Sequence, residues 1–135
     1  EISPHAFGHD GLRWHVRAYC HLRQGFRDFI LGRLLQVELA GASDIKAGDD
    51  VQWNTMVELH LTAHPELSAA QRHGIEVDYG MENGQVALTC RQAMLFYTLR
   101  SLNFEVTGQP RAGQKQLLIA NLGEIRRFLP QPGQA

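Results

Sequence analysis

Residues 12–22 alternate strictly between apolar and polar positions. Leu12, Trp14, Val16, Ala18, Cys20 and Leu22 fall on even numbers, and Arg13, His15, Arg17, Tyr19 and His21 on odd ones. A period of two marks a strand with one core face and one polar face, so Trp14 is expected among the buried residues and the odd set on a solvated, cationic face. A second short strand is expected over 26–31, with the turn at Arg23-Gln24-Gly25. An isolated hairpin is marginal in water, so these strands are expected to complete a sheet whose other strands lie outside the chain or in a partner. Residues 39–50 have no period and read as a linker. The domain boundary is placed there, giving parts at 1–38 and 52–135 with 39–51 between them.

After the linker, strand and helix signals alternate. Val57, Leu59, Leu61 and Ala63 line one strand face. Pro65 and Gly74 stand where the first-turn proline and terminal glycine of a short helix belong. Ile75, Val77, Tyr79 and Met81 alternate again, and Asn83-Gly84 is a two-residue hairpin signal leading into a strand with Val86 and Leu88. Thr89 and Gln92 match a capping box for a helix reaching about residue 103. That helix is apolar around much of its circumference, which suits burial or, in part, a dimer surface. A Gly/Pro loop at 108–113, a last strand at 117–120 and a helical turn at 124–128 complete the order β-α-β-β-α-β, the split arrangement of ferredoxin-like domains.

Charge sharpens this division. The net charge is −1, but the signs are segregated. Five arginines (13, 17, 23, 27 and 33) face only Asp10 and Asp28 between residues 5 and 33, a balance of +3. Residues 34–90 carry −7 and residues 91–135 carry +4. Segregation of this kind points to an anion-facing surface near the N-terminal end. Arginine is the side chain suited to bidentate contact with phosphate or carboxylate. The Arg13, His15, Arg17, Tyr19 face contains no acid, whereas solvated faces usually mix signs, and it suits a phosphate cradle with stacking for a base.

Other chemistries fit less well. Histidines 5, 9, 15 and 21 match no compact zinc spacing, and His15 and His21 stand about 20 Å apart along one strand, six residues at roughly 3.3 Å each. Cys20 and His21 are strand neighbours pointing to opposite faces, so they cannot act as nucleophile and base. No phosphate-binding glycine loop of the Walker or dinucleotide type is present. The two cysteines, Cys20 and Cys90, are too few for a disulfide framework and read as buried thiols. No apolar run reaches the 18 or so residues of a membrane span. The expectation is a cytoplasmic protein that is not an enzyme and holds no metal or cofactor, and a piece of a longer chain, since residue 1 is Glu.

Pro4-His5, Gly8, Gly11, Arg13-Trp14-His15-Val16-Arg17-Ala18-Tyr19-Cys20 and then Phe26-Arg27-Asp28-Phe29 with Arg33-Leu34 resemble the WYL domain. That domain follows a winged helix-turn-helix in many bacterial transcription regulators. Trp14-His15-Val16 stands here for the Trp-Tyr-Leu that names the family. Residues from about 52 onward are similar to its C-terminal extension, known as WCX. The resemblance implies an α+β chain: part of an Sm/SH3-like β-barrel, then a small ferredoxin-like domain. It further implies a homodimer that senses an anionic effector, a nucleotide or single-stranded nucleic acid. Operator DNA would be read only by an N-terminal domain absent from this chain, as are the first barrel strands. Carried over, Arg17, Arg27 and Arg33 would contact the ligand, with His15 in the motif's tyrosine position; Arg13 and Tyr19 join them from the strand-face argument. The competing reading is a module that only assembles and binds no ligand.

Overall fold

The computed structural model describes residues 1–129. The chain divides into two compact units that meet between Asn54 and Thr55. Each is built on a three-stranded antiparallel sheet, which makes the architecture α+β.

The first unit holds strands β1 (Ile2–His9), β2 (Trp14–Cys20) and β3 (Gly25–Ile30), ordered β1-β2-β3. The chain therefore supplies a third strand of its own, β1, to the two expected ones. Its sequence lacks alternation because the register with β2 slips between Pro4 and Ala6, placing His5 in a bulge. Between β2 and β3, Gln24 takes a left-handed conformation (φ 51°) to close the turn. Residues 34–46 form no regular element, and the chain then tightens into a 3₁₀ turn (Ala47–Asp49) and the single helical turn α1 (Val51–Asn54).

The expected faces of β2 require correction. His15 and Arg17 are buried along with Val16, Ala18 and Cys20, while Trp14 is 54% exposed and lies edge-on to His9. The odd face is thus an interior polar face. Its burial is possible because partners from other elements satisfy its charges.

The second unit contains β4 (Met56–Ala63), α2 (Ala69–Asp78), β5 (Gln85–Arg91), α3 (Leu95–Ser101), β6 (Leu117–Ile119) and α4 (Leu122–Ile125), with sheet order β5-β4-β6. Val57, Leu59 and Leu61 of β4 form the centre of its core with Leu95, Leu99, Phe104, Leu117, Ile119 and Ile125. Asn121 extends the sheet with its side chain: its Oδ1 accepts the His60 N–H and its Nδ2 donates to the Glu58 carbonyl, both at 2.9 Å.

The strand expected over 75–81 is not formed: residues 75–78 are the last turn of helix α2, and 79–81 leave it. Helix α2 starts at Ser68, whose hydroxyl accepts the Gln71 N–H while the Gln71 side chain accepts the Ser68 N–H. It runs through Gly74 and ends at Gly80. There a left-handed residue (φ 60°) lets Met81 N–H reach the Glu76 carbonyl and Gly80 N–H the Val77 carbonyl. So Ser68 and Gly80, not Pro65 and Gly74, bound the helix, and the alternation of Ile75, Val77, Tyr79 and Met81 is coincidental. Asn83 and Gly84 do form a tight turn, both at positive φ (53° and 76°). Only the single bridge Glu82–Gln85 forms beside it. Thr89 stays in β5 opposite Glu58, so it caps nothing.

Candidate functional site

The polar face of β2 carries the chemistry of the first unit. Arg17 lies at its centre, opposite Asp28 of β3, and is only 4% exposed. Its guanidinium fork grips Asp50, which is 1% exposed: Nε donates to Oδ2 at 2.7 Å and Nη2 to Oδ1 at 3.0 Å. Nη1 donates to Asp28 Oδ1 at 3.2 Å, and Nη2 also reaches the Gln52 side-chain oxygen at 3.2 Å. Asp50 receives two more donors, His5 Nε2 at 2.9 Å and the Trp53 N–H at 3.1 Å. The latter ties Asp50 to the first turn of α1.

These contacts settle the ionisation of the pair. Burial would raise the Asp50 carboxyl, but the hydrogen bonds from Arg17 and His5 and the Trp53 amide outweigh it and hold the group below its ordinary value. Burial likewise disfavours the Arg17 cation, and Asp50 and Asp28 more than restore it. At neutral pH the pair is a bidentate carboxylate–guanidinium contact, the strong class of charge-assisted hydrogen bond.

Aromatic edges surround it. His5 meets Phe26 at 5.5 Å and Trp53 at 5.8 Å between ring centroids, and Tyr19 meets Phe26 at 5.3 Å. At the far end of β2, His15 Nε2 lies 2.7 Å from Asp10 Oδ2, and Arg13 contacts the same carboxylate at 3.4 Å. The His15 hydrogen bond, with the Arg13 and Leu12 amides, holds Asp10 well below the usual carboxylate range.

Of the expected site residues, the structure brings Arg13, His15, Arg17 and Tyr19 to one face. It does not bring Arg27 there: opposite Ala18, it lies on the reverse side of the sheet and is exposed. Arg33, in the 3₁₀ turn after β3, is also exposed. The face read as free of acid is not so in space, because Asp10, Asp28 and Asp50 all converge on it. Asp28 was within reach of sequence reasoning: once the turn is fixed at residues 21–24, Arg17 falls opposite residue 28. Asp50, 33 residues away from Arg17, had no such signal. Among the described residues no three His, Cys, Asp or Glu side chains group as metal ligands, and no helix is long and apolar enough to cross a membrane.

Two protein-family models match this chain. Residues 1–39 match the WYL domain. Residues 56–125, just over half the chain, match the model described as BrxR transcriptional regulator, C-terminal dimerization domain. The chain belongs to the BrxR family. Within this family setting, the Arg17 face lies in the WYL part and the β5-β4-β6 sheet in the dimerization domain. Similar proteins include DNA-binding transcriptional repressors named CapW. The one from Escherichia coli (strain KTE188) is 45% identical over 131 residues, covering 96% of this chain and 44% of that protein. The one from Pseudomonas aeruginosa is 48% identical over 129 residues, covering 95% and 43%. The chain thus spans less than half the length of the relatives it matches. Those relatives are named DNA-binding transcriptional repressors.

Proposed function

We propose that this chain is the effector-sensing and dimerising region of a cytoplasmic WYL-type transcription regulator. In this reading residues 1–38 form part of an Sm/SH3-like barrel, 39–51 join the two parts, and the remainder is a WCX-type ferredoxin-like domain. The effector is an anion, a nucleotide or a short single strand of nucleic acid. Operator DNA is contacted by a part of the regulator outside residues 1–135.

The observation that carries this reading is the Arg17 fork closed on the Asp50 carboxylate at 2.7 and 3.0 Å. A fork that holds two carboxylate oxygens holds two phosphate oxygens equally well, and Tyr19, Phe26 and His5 offer ring edges and faces beside it for a base. Asp50 is therefore the tethered occupant that an effector replaces. Its departure releases the first turn of α1, immediately before the dimerization domain. For control of this kind the effector must favour the opened state by about 1–3 kcal/mol.

The test is fluorescence anisotropy of a labelled single-stranded oligonucleotide titrated with the chain at two salt concentrations. Binding that weakens with salt, and more so in Arg17→Ala, is expected, with the logarithmic salt slope falling by about 0.7 for the lost phosphate contact. Asp50→Asn is expected to bind more tightly than the parent. A second reading, in which the Arg17–Asp50 pair is a permanent staple and the region only assembles, is favoured by the four hydrogen bonds the guanidinium already makes. It predicts no oligonucleotide binding by either the parent or Asp50→Asn at low salt, a result that would overturn the sensing role.

A further inference from the structure

Strand β5 ends its sheet without any of the devices that protect an edge. Such strands are usually kept short, bulged, interrupted by proline or marked by an inward charge. β5 has seven residues, Gln85 to Arg91, pairs without a register shift along β4, and carries no charge, proline or glycine before Arg91. Ala87, Leu88 and Thr89, its middle, are exposed. Among the described residues β4 is its only strand partner.

The core also continues past this edge. Leu88 points to the same side as Val86 and Cys90, toward the buried layer, and its cross-strand partner Leu59 is fully buried. Leu88 itself remains 37% exposed, and Phe96, on the helix packed against this strand, is 44% exposed. A leucine that faces the core and still meets solvent marks a layer that stops one strand early.

The missing strand can be located. Asn83-Gly84 adopts the doubly left-handed turn that joins a two-residue hairpin. A strand arriving through it would lie beside β5 on the side away from β4. The chain before the turn is instead helix α2, and the hairpin stops at the Glu82–Gln85 bridge. Among the described residues no strand occupies the hairpin position next to β5.

We propose that a second copy of this chain fills it: the β5 strands of two protomers pair antiparallel about a two-fold axis at Leu88, joining two three-stranded sheets into one of six. The match of residues 56–125 to a dimerization domain supplies the occupant, and the sequence of β5 fits its own reverse. With Leu88 at the axis, all seven residues pair. Val86 meets the partner's Cys90, which keeps apolar groups on the core side. Ala87 meets the partner's Thr89, small groups on the open side, and Gln85 meets the partner's Arg91, so no like charges face each other. The pairing is isologous and closed, as a two-fold dimer requires.

Sedimentation equilibrium of the whole chain tests this, with two sets of variants. Ala87→Lys combined with Thr89→Lys changes only exposed side chains but sets ammonium groups directly opposite each other twice across the seam. It is expected to weaken the dimer at least about tenfold with an unchanged circular dichroism spectrum. Thr62→Lys, on β4 away from the edge, is the control and is expected to leave the dimer intact. Leu88→Cys, in a Cys20→Ser, Cys90→Ala background, is expected to form an intermolecular disulfide on mild oxidation, because residues facing each other on the axis lie about 4.5–5.5 Å apart between Cα atoms. A parent chain that is monomeric at all concentrations would overturn the proposal. So would a dimer unaffected by the paired lysines and not cross-linked through Leu88→Cys; such a dimer uses another face. Neither result bears on whether Arg17 binds an anion.

Discussion

Replacing Asp50 with alanine separates the ion pair from its surroundings more clearly than any other single change. The substitution leaves Arg17, 4% exposed, with Asp28 and Gln52 as its remaining partners, and leaves His5 without its carboxylate. Removing one partner of a buried pair costs about 3–5 kcal/mol. Loss of the contact to the Trp53 amide adds the penalty of a missing helix cap, about 1 kcal/mol. Residual pairing with Asp28 offsets part of this, so a net loss of about 3 kcal/mol is expected. Asp28→Ala removes the 3.2 Å charge-assisted hydrogen bond to Arg17 and leaves the bidentate contact to Asp50 whole, for a loss of about 1.5 kcal/mol. Replacing Arg17 and Asp50 together by Met and Leu should recover part of the loss, because the buried guanidinium leaves with its carboxylate, while Asp28 loses the cation it pairs with. The assay is urea unfolding followed by tryptophan fluorescence. The only tryptophans, Trp14 and Trp53, both lie in the first unit, so the signal reports that unit. Trp53 packs against His5 at the site itself. An Asp50→Ala loss no larger than that of Asp28→Ala would refute the reasoning, since the fork would then not be what holds residue 50 in place.

The depressed carboxyls of Asp10 and Asp50 give acid sensitivity a definite sign. Their stabilisation is present above about pH 4, the value of an unperturbed carboxylate, and disappears as pH falls below it toward their folded values. The fluorescence midpoint in urea should therefore fall on acidification below pH 4, and fall less steeply in Asp50→Asn. In the second unit, Asn121→Ala leaves the His60 N–H and Glu58 carbonyl without their partner. It should cost about 1–3 kcal/mol, read by circular dichroism because no tryptophan is present there. Gly108→Ala forces a side chain onto a residue at φ 80° and drives its Cβ into Leu122. A loss of about 1–3 kcal/mol is expected from strain and displacement together, and Gly123→Ala, where the space is open, should cost less.

What could be read in advance was whatever rested on short-range pattern. Strands β2 and β4, the turn before β3, the Asn83-Gly84 turn and the last strand and helical turn all appear where the sequence places them, although the faces of β2 do not. Strand β1 escaped notice because Pro4, Gly8 and the bulge at His5 erase its period. The last turn of helix α2 reads as a strand in the sequence because four apolar residues happen to alternate. The decisive signals were the Ser68–Gln71 box and Gly80, which lie at its ends and not along its face. Of this face, Arg13, His15 and Arg17 were legible in the sequence and the anions were not, while Arg27 and Arg33 lie elsewhere. Asp28 reaches Arg17 through hairpin register, which local counting recovers. Asp50 reaches it through a long segment with no regular structure, and no periodicity encodes such a contact. The error that followed was one of polarity: a face rich in arginine was read as open to solvent, when tertiary partners had already closed it.

The stretch at residues 34–46, which has no regular secondary structure and brings Asp50 back to the sheet, has a consequence of its own. In the proposed sensing role Asp50 competes with the effector, and its potency would depend on its effective concentration at Arg17, which depends on tether length. Each doubling of a flexible loop weakens closure by about 0.6 kcal/mol, close to a threefold change in equilibrium. Insertions or deletions in this stretch therefore shift the concentration at which an effector wins without altering a single atom of the site. Related regulators could diverge in sensitivity by length alone, their binding residues unchanged.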